Sequence, residues 1–448
     1  MKLALCSAAA CTLLLSSTAA AAEMRFWTNT SGQLIEAEMI GVNVPKRAVK
    51  VRLKDGKEFE IAIDSLSTPD RAYAKEHWAA LQTAPATPET ATGGISDAVR
   101  NGLPPRYRTR VSSDARLKSI LEGGGTEEME AAVLRSLAGF KTSQNPDGSW
   151  ARANKGAMTG FVIQCYLGHG ETPESPEFGD AITKGLLYLI NLASQNPHGL
   201  LTENWMGNKG GAGTYEHAIA TVAVGEACVL AGAKSLPGLR EAFQKAVEVI
   251  ISQQTKRGSW TYGGDAIVYN PGSGADLSLA NWHFQALKVA KESNLQFAGL
   301  DACIKRAVNY LDSMQTRDGG FGGTTRDAHY NQWSLSGGAT AGHLMLSGQN
   351  TPAAAKGIKF IDGFLKAEPP DWNANCNLYC WYGYGNALSL DGGAPWKEFT
   401  RTVMPQIVAA QEPTGGFKRG RPNWPAADAA DTTYRQALCT LILETFYR

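Results

Sequence analysis

The residues best equipped for chemistry are few. Glu216-His217 sets a carboxylate beside an imidazole, and Trp282-His283 offers a second imidazole. A carboxylate and two histidines brought together would serve a lyase or hydrolase as general acid and base. Asp428 and Asp431 add two carboxylates three positions apart. Other polar and aromatic residues stand at corresponding places along the chain: Tyr215, Asp276, Trp282, Asp327, His329, Tyr330, Trp333, Tyr379, Trp381, Tyr382 and Tyr434. Each has a structural reading too, since carboxylates and histidines at helix starts act as caps and dipole partners and aromatics fill cores. Their recurrence argues for a concave ligand site with convergent polar groups.

Familiar catalytic signatures are missing: the sequence has no Gly-x-Ser-x-Gly, HExxH, phosphate loop or dinucleotide fingerprint. Cys376 and Cys380, four apart, suit a local disulfide or half a metal site, but no CxxC pair or histidine at ligand spacing completes one. No metal and no cofactor is expected. The 448 residues are 43% hydrophobic and 19% charged with net charge +1, and no basic stripe interleaved with aromatics suggests nucleic acid.

The elements that must position these residues fall into two parts. Residues 1–22 combine Lys2, an apolar run and a small-residue end, which reads as a signal peptide and predicts an exported, periplasmic or extracellular protein without a membrane span. Residues 23–78 carry short alternating apolar runs, with Asp55-Gly56 as a hairpin turn. Thr, Ala and Pro dominate from Gln82 to Gly94, so 79–126 is expected as linker.

From residue 127 the pattern is helical and repetitive. Gln144-Asn145-Pro146-Asp147-Gly148-Ser149-Trp150 recurs as Gln254 with Gly258-Ser259-Trp260, Gln315 with Gly319-Gly320-Phe321, and Gln411 with Gly415-Gly416-Phe417. The period is about 53 residues, enough for a two-helix repeat. The second copy, after Gln195, is worn, and the fifth keeps only Trp372. Inner helices should begin near Met158, Tyr215, Leu277, Ser334, Leu378 and Thr432. Six hairpins that bury their apolar faces on one another can close into a ring. The expected fold is mainly α, an (α/α)6 toroid preceded by a small β domain.

The glutamine, glycine and aromatic spacing resembles the repeat of squalene cyclases and protein prenyltransferase β-subunits, whose fold is an α/α toroid. The family's cyclase acid motif is matched only at its flanks, by Asp428 and Asp431, with Ala430 at the position of the protonating acid. Its zinc set is incomplete as well, since Asp327 and His329 follow Gly319-Gly320-Phe321 without a cysteine. Residues 24–78 resemble the Sla-homology domain of endocytic adaptors through Arg25, Trp27-Thr28, Gly32, Ala37, Val51-Arg52-Leu53, Gly56, Leu66-Ser67, Asp70 and Tyr73. That resemblance implies an SH3-like barrel and a peptide or protein partner. The combined expectation is an exported toroid that binds an apolar or carbohydrate-like ligand in its centre. The alternatives are a divergent cyclase-class enzyme, a lyase or hydrolase, and a structural interaction scaffold.

Overall fold

The computed structural model describes residues 24–30, 33–43, 48–67, 69–71, 73–74, 102–204, 210–262, 274–327, 332–348, 351–421 and 432–448. The expected signal peptide, with the residues Asp428, Asp431, His329 and Tyr330, lies outside them. The chain divides into two compact units, one within residues 1–90 and one within 91–448.

In the first unit, β1 (Met24–Thr28), β2 (Leu34–Asn43), β3 (Ala48–Leu53) and β4 (Glu58–Ala62) form an antiparallel sheet in the order β1-β2-β3-β4. Alternation sets the faces: Val49 and Val51 are buried with Trp27 and Ala37, while Lys50 is exposed. Gly56, with φ of 85°, makes the Asp-Gly turn between β3 and β4. Several residues that carried the resemblance form one network. The Asp70 carboxylate accepts from Arg25 Nη2 at 2.6 Å, from the Thr28 amide at 2.8 Å and from Ser67 Oγ at 2.7 Å. The Arg25 guanidinium lies 3.6 Å from the centre of the Tyr73 ring.

The second unit opens with α1 (Pro105–Arg110) and α2 (Ser113–Glu122). These correct the expectation of linker as far as residue 126. Tyr107 and Val111 join the hydrophobic core, and Arg110 is wholly buried. The Pro104-Pro105 pair starts a helix, with Pro105 in a first turn that needs no N–H from it.

Six helical hairpins follow. The outer members are α3 (Glu127–Ser143), α5 (Gly179–Gln195), α7 (Leu239–Ser252), α9 (Leu300–Met314), α11 (Pro352–Ala367) and the pair α13 (Ala394–Thr402) and α14 (Met404–Ala409). The inner members are α4 (Lys155–Gly168), α6 (Gly210–Ala227), α8 (Leu277–Glu292), α10 (Gln332–Ser347), α12 (Leu378–Asp391) and α15 (Thr432–Leu443). The inner helices pack in the cyclic order α4-α6-α8-α10-α12-α15, and α15 returns to α4, so the ring closes. Outer helices α7 and α9 are amphipathic, whereas α4 is buried all round, as a helix covered by the outer layer and its inner neighbours must be. Pro176 and Pro237 lie just before α5 and α7.

The repeated turn is a clasp between hairpins. Gln144, Gln254, Gln315 and Gln411 each donate Nε2 to the carbonyl of their own turn glycine. The same nitrogens donate to Ala181, Cys303, Ala353 and Ala132 of the next outer helix, at 2.9, 2.9, 2.8 and 2.7 Å. Those glycines, Gly148, Gly258, Gly319 and Gly415, have positive φ. A Cβ on any of them would meet the backbone oxygen of Lys184, Arg306, Lys356 or Arg135, three residues beyond the glutamine's acceptor, within 2.5 Å. Only glycine satisfies both conditions. Trp150, Trp260, Phe321 and Phe417 are buried. The two indoles donate to Phe140 O and Ile250 O at 2.8 Å, ten residues back in each case.

Candidate functional site

The ring has a bore, and the inner helices decide what lines it. Phe161 on α4, Trp282 on α8, Tyr379 and Tyr382 on α12 and Tyr434 on α15 bring aromatic rings together across the centre. Phe161 lies 5.2 Å from Trp282 and 5.8 Å from Tyr434, and Trp282 stacks on Tyr382 at 5.6 Å. Glycines let α10 and α12 approach closely: a Cβ on Gly383 would stand 2.8 Å from the Gly338 nitrogen. Between Trp282, Ser334, Gly338 and Tyr382 a void of about 20 Å³ remains, room for a group of water size. At this depth described side chains of α4, α8 and α12 meet across the bore.

Where the inner helices begin, the lining becomes polar. The Tyr215 hydroxyl lies 2.8 Å from that of Tyr262 and 2.7 Å from Ser278 Oγ, and Tyr262 and Ser278 are 2.9 Å apart. Asp276 caps α8, accepting from the Ser278 amide at 2.8 Å and from the Ser278 hydroxyl. Asn281 Nδ2 donates to the Tyr379 hydroxyl, whose ring is 6.1 Å from Trp282. Burial raises the Tyr215 and Tyr379 phenols above their ordinary value. They therefore keep their protons at neutral pH and act as neutral hydrogen-bonding groups.

Below the aromatic layer, charge closes the other end. Arg448 Nη2 donates to Gln164 Oε1 at 2.6 Å, and its Nη1 to the Tyr382 hydroxyl, which donates on to Gln285. Arg110 pairs with Glu226 at 3.1 Å, both wholly buried. Burial pushes Glu226 up, but Arg110, Arg448 and Arg106 outweigh it and hold the carboxyl at about 2.

The candidate acid–base residues have structural partners instead. Glu216 Oε2 accepts from the Gly156 amide at 3.1 Å and its Oε1 from Asn204 Nδ2 at 2.5 Å, which caps α4. Burial raises its pKa. His217 Nδ1 accepts from the Leu201 amide at 3.1 Å while Nε2 faces Ala246 O at 3.1 Å, which fixes the tautomer and ties α6 to α7. His283 stacks 4.4 Å from the plug Trp260, with Nδ1 2.9 Å from Leu279 O. Burial drives the two imidazoles down to about 4 and about 3.

The remaining expected residues part company. Tyr215, Asp276, Trp282, Tyr379, Tyr382 and Tyr434 gather at the bore. Asp327 is exposed on a turn. Trp333 stacks on Phe364 of α11, and Trp381 packs on Trp372, so both leave the bore for the outer wall. Cys376 and Cys380 are buried and are not joined in a disulfide. Among the described residues no group of His, Cys, Asp or Glu could hold a metal, and no helix is long and apolar enough to cross a membrane. Sequence reasoning missed Tyr262, Ser278, Asn281 and Phe161. Their signal was position, since Ser278 and Asn281 share one face of α8 with Trp282 and Gln285.

The sequence matches no family model, and no curated protein matches it. Solved structures do. An α-1,6-mannanase of Salegentibacter sp. HEL1_6 is similar at 11% identity and TM-score 0.50, over 71% of this chain and 99% of that one. A D-mannose isomerase is similar at 12% identity and TM-score 0.50, over 72% and 98%. A type II terpene cyclase from Scytonema aligns at 15% identity and TM-score 0.48, over 72% and 97%. Together with the closed ring of hairpins, the likeness to the mannanase and the isomerase establishes an α/α toroid.

Proposed function

We propose that the toroid is a carbohydrate-binding module whose site is the mouth of the bore. The observation that carries this reading is the hydroxyl cluster of Tyr215, Tyr262 and Ser278 beside the rings of Tyr379 and Trp282. Ring faces with neutral donors and acceptors at their edges suit a sugar, which presents both C–H faces and hydroxyls. The side chains that meet across the bore argue against a long apolar ligand threaded through the ring. The mannanase, solved with α-1,6-mannotriose, and the mannose isomerase handle sugars on the same scaffold; at such low identity this is an analogy of fold.

An enzyme reading has less support. Glu216, His217 and His283 are committed to structure, and Ala430 stands where a cyclase acid would be. The scaffold reading draws on the aromatic rings that meet across the bore. In our reading the protein is exported through residues 1–22, and the N-terminal sheet unit is an SH3-like adaptor that docks a protein or peptide partner.

The test is binding of glycan pools to the full chain, read by mass spectrometry of retained sugars and by calorimetry. Tyr262→Ala and Tyr215→Phe should each weaken a retained glycan about tenfold. If no glycan is retained, or if both variants bind as the parent does, the reading fails.

A further inference from the structure

A second concavity lies on the outer wall, away from the bore. It occupies about 330 Å³ between α10, α11 and α12 and is bounded by the turn that follows α11. This is the fifth hairpin, whose turn lacks the Gln-Gly-Gly-aromatic sequence and runs through Glu368 to Asn377 instead. Trp333 and Phe364 lie parallel at 5.9 Å with 9° between planes, and Phe364 meets Tyr384 edge-on at 6.1 Å and 67°. Two walls of aromatic rings therefore meet at a steep angle.

The polar lining is largely spent. Asn375 Oδ1 accepts from the Asp371 amide and its Nδ2 donates to Pro369 O. Asn377 accepts from the Cys380 amide as the cap of α12, and the Tyr384 hydroxyl donates to Trp333 O. Little remains for a sugar's many hydroxyls. Among the described residues that line the cleft the one charged group is the Glu368 carboxylate, exposed at the rim. Glu368 forms no ion pair among the described residues.

We infer that this cleft binds an alkylated ammonium group, held against the aromatic rings that line it, with Glu368 as its counter-charge. A ring face attracts a cation through its quadrupole. A methylated ammonium asks for no hydrogen bonds, which matches a lining that has few to offer. The carboxylate supplies the charge complementarity that distinguishes such a cation from a neutral group of the same shape.

Choline and its uncharged analogue, with carbon in place of nitrogen, are titrated into the full chain and followed by tryptophan fluorescence and calorimetry. Choline should saturate and bind at least about tenfold more tightly than the analogue. Glu368→Gln should weaken choline about fivefold and leave the analogue unmoved. Phe364→Leu, with its fold checked by circular dichroism, should weaken choline as well. Equal binding of choline and analogue overturns the inference, as does an absence of saturation or an unaltered Glu368→Gln. Tyr262→Ala at the bore mouth should leave choline binding unchanged, so failure here is separable from failure of the carbohydrate reading.

Discussion

Gln411 donates its side-chain amide to the carbonyl of Ala132 across 2.7 Å, joining residues 279 apart in sequence. The same clasp joins neighbouring hairpins at Gln144, Gln254 and Gln315, so the last repeat grips the first as the first, third and fourth grip their successors.

The clasp predicts unequal costs for similar glycine substitutions. Gly415→Ala forces a Cβ against Arg135 O, 2.1 Å away, at a φ of 88°. It should cost at least about 3 kcal/mol. Gly392→Ala meets nothing within 4 Å and has a φ of 72°, so it should cost about 1 kcal/mol, the strain of the left-handed region alone. Urea unfolding of both variants measures the difference, and equal midpoints would show that the clasp adds nothing.

A second prediction concerns acid. His217 and His283 titrate at about 4 and about 3 in the folded protein, against an ordinary 6.5, because burial disfavours the imidazolium. Below pH 6.5 the unfolded chain binds protons that the folded chain refuses, so stability falls with pH from 6.5 down to about 4 at His217 and about 3 at His283. Between pH 7 and pH 4 each histidine should contribute roughly 3 kcal/mol to that loss. Denaturant midpoints between pH 7 and pH 4 test it, and His217→Gln should flatten the slope even as it lowers stability at neutral pH.

The charged floor of the bore makes a third case. Arg110→Met leaves Glu226 wholly buried with one guanidinium fewer, which should cost about 3–5 kcal/mol. Arg401→Ala removes an exposed pair with Glu398 and should leave the unfolding midpoint where it was. A neutral Arg110→Met would mean that the buried pair is dispensable.

Truncating the central ring gives a fourth. Trp282→Ala removes the indole that stacks on Tyr382 and touches Phe161. The loss should be about 3–5 kcal/mol. The space left, lined by Phe161 and Tyr382, should admit small apolar probes such as benzene, as dry engineered cavities do. Ligand-dependent thermal shifts would detect this, and a variant blind to benzene would indicate that the bore collapses.

Much of the scaffold was legible because repetition is a sequence-level property. The spacing of Gln144, Gln254, Gln315 and Gln411 marks the turns, and the inner-helix starts fall within a few residues of those expected. The helices α1 and α2 escaped notice because their burial comes from tertiary contacts of Tyr107 and Arg110, which no local periodicity announces. The site was read with less success for a geometric reason. Residues at the start of an inner helix point into the bore, sideways or toward the outer layer according to rotation about the helix axis. Tyr215 and His217 stand two apart, yet one lines the mouth and the other ties α6 to α7. Rotation of that kind is fixed by packing, and spacing alone cannot separate the two.

The clasp between the last hairpin and the first has a consequence for how the toroid could be rebuilt. Because Gln411 engages Ala132 as Gln315 engages Ala353, cyclic order rather than chain order holds the hairpins together. A circular permutant that joins the segment after α15 to α1 through a flexible linker, and opens the chain between α10 and α11, would cut no clasp described above. It should fold to the same ring.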